Sequence, residues 1–219
     1  MTITDITRRF RGAIFDLDGT LLDSMWVWHQ VDADFLSARG LSLPADYAAA
    51  IAALSFREVA EYTIARFGLA EEPEAIMAEW NELSSRHYRE NVRLKPGAAA
   101  FLRRLKAAGL RLGVATSLSR PVMEPVLAHC GILPLFDALT SADEVARGKN
   151  CPDIYLLTAA RLNLPPEDCV AFDDVAKSLE GILAAGMTAC AVREPLSCQD
   201  WSAMQTLAHW SIEGFEAFF

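Results

Sequence analysis

The chain has 219 residues, 52% of them hydrophobic and 22% charged, with a formal net charge of −9. That is enough for one substantial core plus a small second module, and it excludes disorder. The acidic balance, without any Lys/Arg run, excludes nucleic acid and anionic membrane surfaces as partners. No apolar run approaches the ~20 residues of a membrane span, and polar residues 1–11 lack the apolar centre of a signal peptide, so a cytoplasmic protein is expected.

Residues 13–15 form a short apolar run ending at Asp16, which reads as a buried strand followed by an acidic turn. From Ser24 to about Asn91 the periodicity becomes helical, as in Val27/Val31/Phe35, Val59/Thr63/Phe67 and Ile76/Trp80/Leu83/His87. Breaks at residues 40–44 and 67–69 divide this stretch into about four helices of ordinary length. Strand and helix then alternate. Pro96 opens a helix that Gly109 closes, and residues 110–115 are the next strand. Ser119 and Pro121 open a helix that Gly131 stops, and residues 136–139 form a short strand. Pro152 opens a helix through Leu162, residues 169–172 form a strand, a helix follows up to Gly186, and residues 188–192 form a further strand. Strands regularly separated by helices predict a Rossmann-like parallel sheet covered on both faces. The expected division is an α/β core of residues 1–23 and 92–219, interrupted by an all-helical cap of residues 24–91.

The chemistry-bearing residues fall at strand ends. Asp16, Asp18, Thr116, Ser117, Asp173 and Asp174 all lie just beyond the carboxyl ends of predicted strands, where open α/β sheets bind ligands. Two carboxylates two residues apart, Asp16 and Asp18, can aim at one point if the chain curls at Gly19. Like charges so close call for a cation, and a hard divalent ion such as Mg²⁺ suits a site shared with phosphate. A plain Asp-Gly turn is the competing reading of residues 18–19, and Asp174 is also a natural N-cap for the helix after it. Lys149, in a loop, is the cation that would balance four carboxylates and hold a phosphoryl group. The five cysteines, Cys130, Cys151, Cys169, Cys190 and Cys198, form no CxxC pair and read as reduced thiols.

Residues 15–24, Phe-Asp-Leu-Asp-Gly-Thr-Leu-Leu-Asp-Ser, resemble the first motif of the haloacid dehalogenase (HAD) superfamily. Residues 115–117 resemble the second motif, residues 147–153 the third and residues 172–174 the fourth, in the right order along the whole chain. The resemblance is greatest to the phosphoglucomutase-like phosphatases, whose helical cap follows the first motif. It implies a Mg²⁺-dependent phosphatase of a small phosphorylated metabolite, a sugar or polyol phosphate, acting as a monomer or weak homodimer. Asp16 would be the nucleophile that forms an aspartyl-phosphate, and Asp18 the acid that protonates the leaving alcohol and then activates water. Mg²⁺ would be held by the Asp16 side chain, the Asp18 carbonyl and Asp174, with Asp173 acting directly or through water. Thr116, the Ser117 amide and Lys149 would hold phosphoryl oxygens.

Some positions depart from the family pattern. Asn150 stands where proline is frequent, Asp173 where glutamate is, Val175 where serine is and Ser178 where glycine is. Sugar phosphomutases of the superfamily place a histidine twelve residues after the nucleophile and an arginine in the cap. Here those positions carry Trp28 and Phe56, with His29 and Arg57 one residue on, turned about 100° around a helix. Hydrolysis is therefore expected over mutase activity, and Asp18 argues against the dehalogenase branch. A catalytically quiet phosphate-binding module is the remaining alternative. Ser24, Trp26, Trp28, Phe56 and Arg57 are the candidates for substrate choice.

Overall fold

A computed structural model describes residues 2–51, 54–197 and 200–219; Cys198 lies outside them. Its central strands are buried at nearly every position, with Leu139 of the fifth strand half-buried, as strands covered on both faces require. They are β1 (Gly12–Phe15), β4 (Arg111–Thr116, with only its first residue exposed), β5 (Ala138–Ser141), β6 (Cys169–Asp173) and β7 (Thr188–Val192). With β8 (Trp210–Ile212) they form a six-stranded sheet in the order β5-β4-β1-β6-β7-β8, each neighbouring pair parallel. This is the expected α/β, Rossmann-like architecture. The connecting helices are α6 (Ala98–Ala107), α7 (Arg120–His129), α8 (Asp153–Arg161) and α9 (Ala176–Ala184). A separate two-stranded ribbon pairs β2 (Leu22–Asp23) with β3 (Arg93–Leu94).

The chain divides into two compact units, Met1–Met25 with Val92–Phe219, and Trp26–Asn91. The second unit holds α2 (Val27–Ser37), α3 (Tyr47–Ile51), α4 (Phe56–Phe67) and α5 (Pro73–Glu90). Its core is built from Val27, Val31, Phe35, Tyr47, Ile76 and Trp80. The helix α4 is well specified locally: Ser55 and Glu58 make a reciprocal capping box, and Gly68 closes the helix in the left-handed conformation.

Several details differ from the sequence reading. The strand expected at residues 136–139 lies at Ala138–Ser141, because a 3-10 turn at Leu133–Leu135 ends only at Phe136. Residues 3–9 form a helix, α1 (Ile3–Arg9), nucleated by a Thr2/Asp5 capping box that short length and polar composition had hidden. Helix α6 starts after Pro96, because Gly97, with φ 79°, takes the N-cap. The chain after β7 adds α10 (Trp201–Leu207) and edge strand β8, both too short for a periodic signal.

Candidate active site

The site is assembled by register. Phe15 and Phe172 are paired across β1 and β6, and their rings stack at 4.8 Å with Phe101 edge-on to both. The residues that follow them, Asp16 and Asp173, therefore leave adjacent strands at the same level. The Asp16 amide donates to the Phe172 carbonyl at 3.0 Å, which fixes that level. On the other side of β1, Phe15 is level with Val114, which brings Thr116 at the end of β4 to the same edge.

Gly19 adopts φ 72°, and a β-carbon there would collide with the Asp174 carboxylate, so the first turn needs glycine twice over. Thr20 Oγ1 donates to Asp174 Oδ1 at 2.8 Å, tying that turn to the end of β6. The 147–151 loop is seated against α9 at Gly181, where a β-carbon would meet the Lys149 carbonyl. Lys149 Nζ is thereby delivered 2.6 Å from Asp16 Oδ1 and 2.7 Å from Asp173 Oδ2. Asp173 is further held by the Val175 amide on Oδ1 at 3.0 Å and the Tyr155 hydroxyl on Oδ2 at 3.4 Å. Its short side chain is thus already engaged by protein donors.

Asp16, Asp173 and Asp174 are buried, and one carboxylate oxygen from each lies within 4.8 Å of the others. Burial pushes Asp16 well above the usual carboxylate range, and Asp173 and Asp174 add to this while Lys149 opposes it. Burial, then the charge of Asp173, raises Asp174 to about 7. Burial works against the Lys149 charge, but Asp16 and Asp173 outweigh it and hold the ammonium well above the ordinary lysine range. One lysine cannot neutralise three buried carboxylates, so the cluster favours capture of a proton or a cation. Hard oxygen donors at this spacing fit a divalent ion such as Mg²⁺.

The other expected residues are placed as follows. Asp18 stands outside the three-carboxylate cluster, with Oδ1 accepting from Ser24 Oγ at 2.5 Å. Ser24, expected at the substrate entrance, is buried behind Asp18. Asp18, Asp16, Thr116, Ser117, Lys149 and Asp174 all line one cavity of about 630 Å³. Thr116 Oγ1 accepts from the Leu118 amide at 3.2 Å, shaping the turn after β4. Asp174 does not cap α9: Val175 holds the N-cap position, and the carboxylate serves Thr20 instead. The cavity is also walled by Met25, Lys177, Leu196 and Ser197, which sequence reasoning missed. Lys177 follows the fourth motif by three residues and was legible by spacing; Leu196 and Ser197 lie in a loop with no pattern of its own.

Within the cap unit, Trp26 precedes α2 and meets His87 edge-on at 5.5 Å. Trp28, 47% exposed, and Phe56, 37% exposed, touch each other with ring centroids 5.7 Å apart. Arg57 is engaged by Glu61 and Glu74 at 3.1 and 2.6 Å.

The chain is similar to known proteins in sequence and in fold. The family model for haloacid dehalogenase-like hydrolases matches residues 10–186. Hexitol phosphatase A of Escherichia coli K12 is 33% identical over 92% of this chain and 91% of its own length. A fructose-1-phosphate phosphatase of the same organism is 30% identical over 84% of this chain and 97% of its own. The crystal structure of a Thermotoga maritima protein assigned as a beta-phosphoglucomutase has the same fold, with a TM-score of 0.86 over 95% of this chain and 96% of that one at 24% identity. On the strength of the model match and of the identity to these two phosphatases, the chain belongs to the haloacid dehalogenase-like hydrolase family and is a phosphoric monoester hydrolase.

Proposed function

We propose that this protein removes phosphate from a small sugar or polyol phosphate with Mg²⁺ as cofactor. The observation that carries the reading is the buried group Asp16, Asp173 and Asp174 around Lys149, at the foot of a cavity that also holds Asp18, Thr116 and Ser117. The names of the curated relatives, a hexitol phosphatase and a fructose-1-phosphate phosphatase, support the substrate class.

Asp16 and Asp174 would hold Mg²⁺ with the Asp18 carbonyl, and Asp173 would contribute directly or through water. When bound, the ion offsets the negative charge of the phosphoryl oxygens and of the cluster. Asp16 attacks phosphorus in line, forming a phosphorus–oxygen bond as the bond to the substrate oxygen breaks. Asp18, oriented by Ser24, gives its proton to that leaving oxygen. It then takes a proton from water, whose oxygen attacks phosphorus and releases phosphate and the Asp16 carboxylate. Lys149 neutralises charge on the phosphoryl oxygens, and Thr116 with the Ser117 amide orients them. Asp173, held by the Val175 amide and Tyr155, keeps Lys149 aimed at Asp16.

Phosphomutases of the family would use a histidine and an arginine where this chain has Trp28 and Phe56. An exposed aromatic pair neither passes a proton nor grips a second phosphate, which favours hydrolysis. The test is phosphate release from an aryl phosphate and a panel of sugar and polyol phosphates, with and without Mg²⁺. Release should need Mg²⁺; turnover undiminished by chelation, or none from any compound, sinks the proposal.

A further inference from the structure

A largely buried ion pair lies beside the cavity and takes no part in the steps above. Lys95 directly follows β3, and Glu194 lies two residues beyond β7. Lys95 Nζ is 2.5 Å from Glu194 Oε2, with the two side chains 12% and 5% exposed, and it also donates to the Arg193 carbonyl at 3.3 Å. The Lys95 amide donates to the Leu21 carbonyl at 2.9 Å, so the lysine is anchored to the turn that follows Asp18.

The second Glu194 oxygen is also used. Oε1 accepts from the Leu196 amide at 2.8 Å, while the Glu194 carbonyl accepts from the Ser197 amide at 3.2 Å and the Ser197 hydroxyl at 2.9 Å. The carboxylate therefore fixes the Leu196 amide, while the Glu194 main chain holds Ser197, and the two together shape the 194–197 turn. Leu196 and Ser197 are the two residues of that turn that wall the cavity around Asp16 and Lys149. Leu196 is 67% exposed and has no core to hold it, so its position depends on the turn. Burying two charges is costly, and an apolar pair of the same volume would serve stability as well or better. What an apolar pair cannot do is bind the Leu196 amide and set the turn.

We propose that Lys95 and Glu194 are positioning residues that clamp the 194–197 turn as a cavity wall and thereby set affinity for the substrate. The proposal rests on the phosphatase reading. Leu196 and Ser197 wall the cavity without holding Asp16 or Lys149 by a hydrogen bond or ion pair among the described residues, so loss of the clamp is expected to act on binding common to ground and transition states: KM changes and kcat does not.

Two variants test this with the full chain and Mg²⁺: Glu194→Gln, and the apolar double variant Lys95→Met/Glu194→Leu. On the best substrate of the panel, both should raise KM at least tenfold and leave kcat within threefold of wild type. The double variant should melt within a few degrees of wild type, which separates the clamp from a purely structural pair. Hydrogen exchange of residues 193–197 reads the clamp without turnover and should speed up in both variants. Wild-type KM in a folded double variant, or unchanged exchange in both, overturns the proposal. If the wild type itself releases no phosphate, the phosphatase reading fails, and the exchange measurement still decides whether the clamp exists.

Discussion

The two units treat charge in opposite ways. In the cap unit each arginine of the interior network is matched. Arg39 lies over the Phe35 ring at 3.7 Å and binds Glu71 and Glu79 at 2.9 and 2.7 Å, and Arg66 binds Asp46 at 2.7 Å. In the α/β unit, three buried carboxylates cluster around one lysine, which pairs directly with only two of them, Asp16 and Asp173. Balanced charge at partly exposed positions holds helices together for modest gains. Unbalanced charge in a buried cluster is unfavourable for folding, and it makes sense as a site that awaits a cation and a phosphoryl group. The difference separates residues that build the molecule from residues that act.

If that separation is right, substitutions in the two classes should fail differently. The largest effect is expected from Asp16→Asn, which should cut turnover by at least about 10⁴-fold, roughly 5 kcal/mol of barrier, with the fold intact by circular dichroism. Retained turnover would remove Asp16 from the nucleophile role. Phe172→Ala strips a buried ring that stacks on Phe15 and meets Phe101 edge-on beneath the site, and should cost about 3–5 kcal/mol of stability in chemical denaturation. Lys149→Ala should lower kcat/KM by about 10²–10³-fold, by analogy with removal of a preorganised electrostatic donor. A loss under about tenfold, or 1.4 kcal/mol, would make Lys149 peripheral.

Much of this site was legible before the fold was known. Asp16, Thr116, Asp173 and Asp174 could be read because each follows a short apolar run, and a parallel sheet gathers such ends at one edge. What could not be read are contacts that depend on register and loop shape. Asp174 reads as a helix cap in one dimension, yet Thr20 claims its carboxylate across 154 positions of sequence. Ser24 reads as an entrance residue but points at Asp18. The Lys95–Glu194 pair joins two loops that share no motif, and short elements such as α1 and β8 owe their existence to a cap or a neighbouring strand.

A smaller effect is expected where charge is balanced. Arg39→Ala removes a guanidinium that stacks on Phe35 and bridges two carboxylates, and should cost about 2 kcal/mol of stability while leaving kcat unchanged. Denaturation and steady-state kinetics on one preparation check both halves. A fall in kcat without loss of stability would give the cap's ion pairs a part in the chemistry and blur the contrast between the units.

Asp32 is the exception inside the cap, and so the sharpest small test. It is half-buried beside a cavity of about 190 Å³ lined by His29, Leu43, Pro44 and Tyr47. No hydrogen bond or ion pair engages it among the described residues. Burial raises its carboxyl from 3.8 to about 7. A raised folded-state value means the folded protein holds the proton more tightly than the unfolded chain. The favourable contribution of the neutral form is complete below about pH 3.8 and is lost as pH rises through about 7. Asp32→Asn keeps the shape and cannot ionise. It should be as stable as wild type near pH 4 and more stable at pH 8, by about 1 kcal/mol once solvent screening at a half-buried group is allowed for. The measurement is the difference in denaturation free energy between the two proteins at each pH, in which every other titrating group cancels. A gap that does not grow with pH would show that Asp32 is compensated, and that the cap unit balances all of its charges after all.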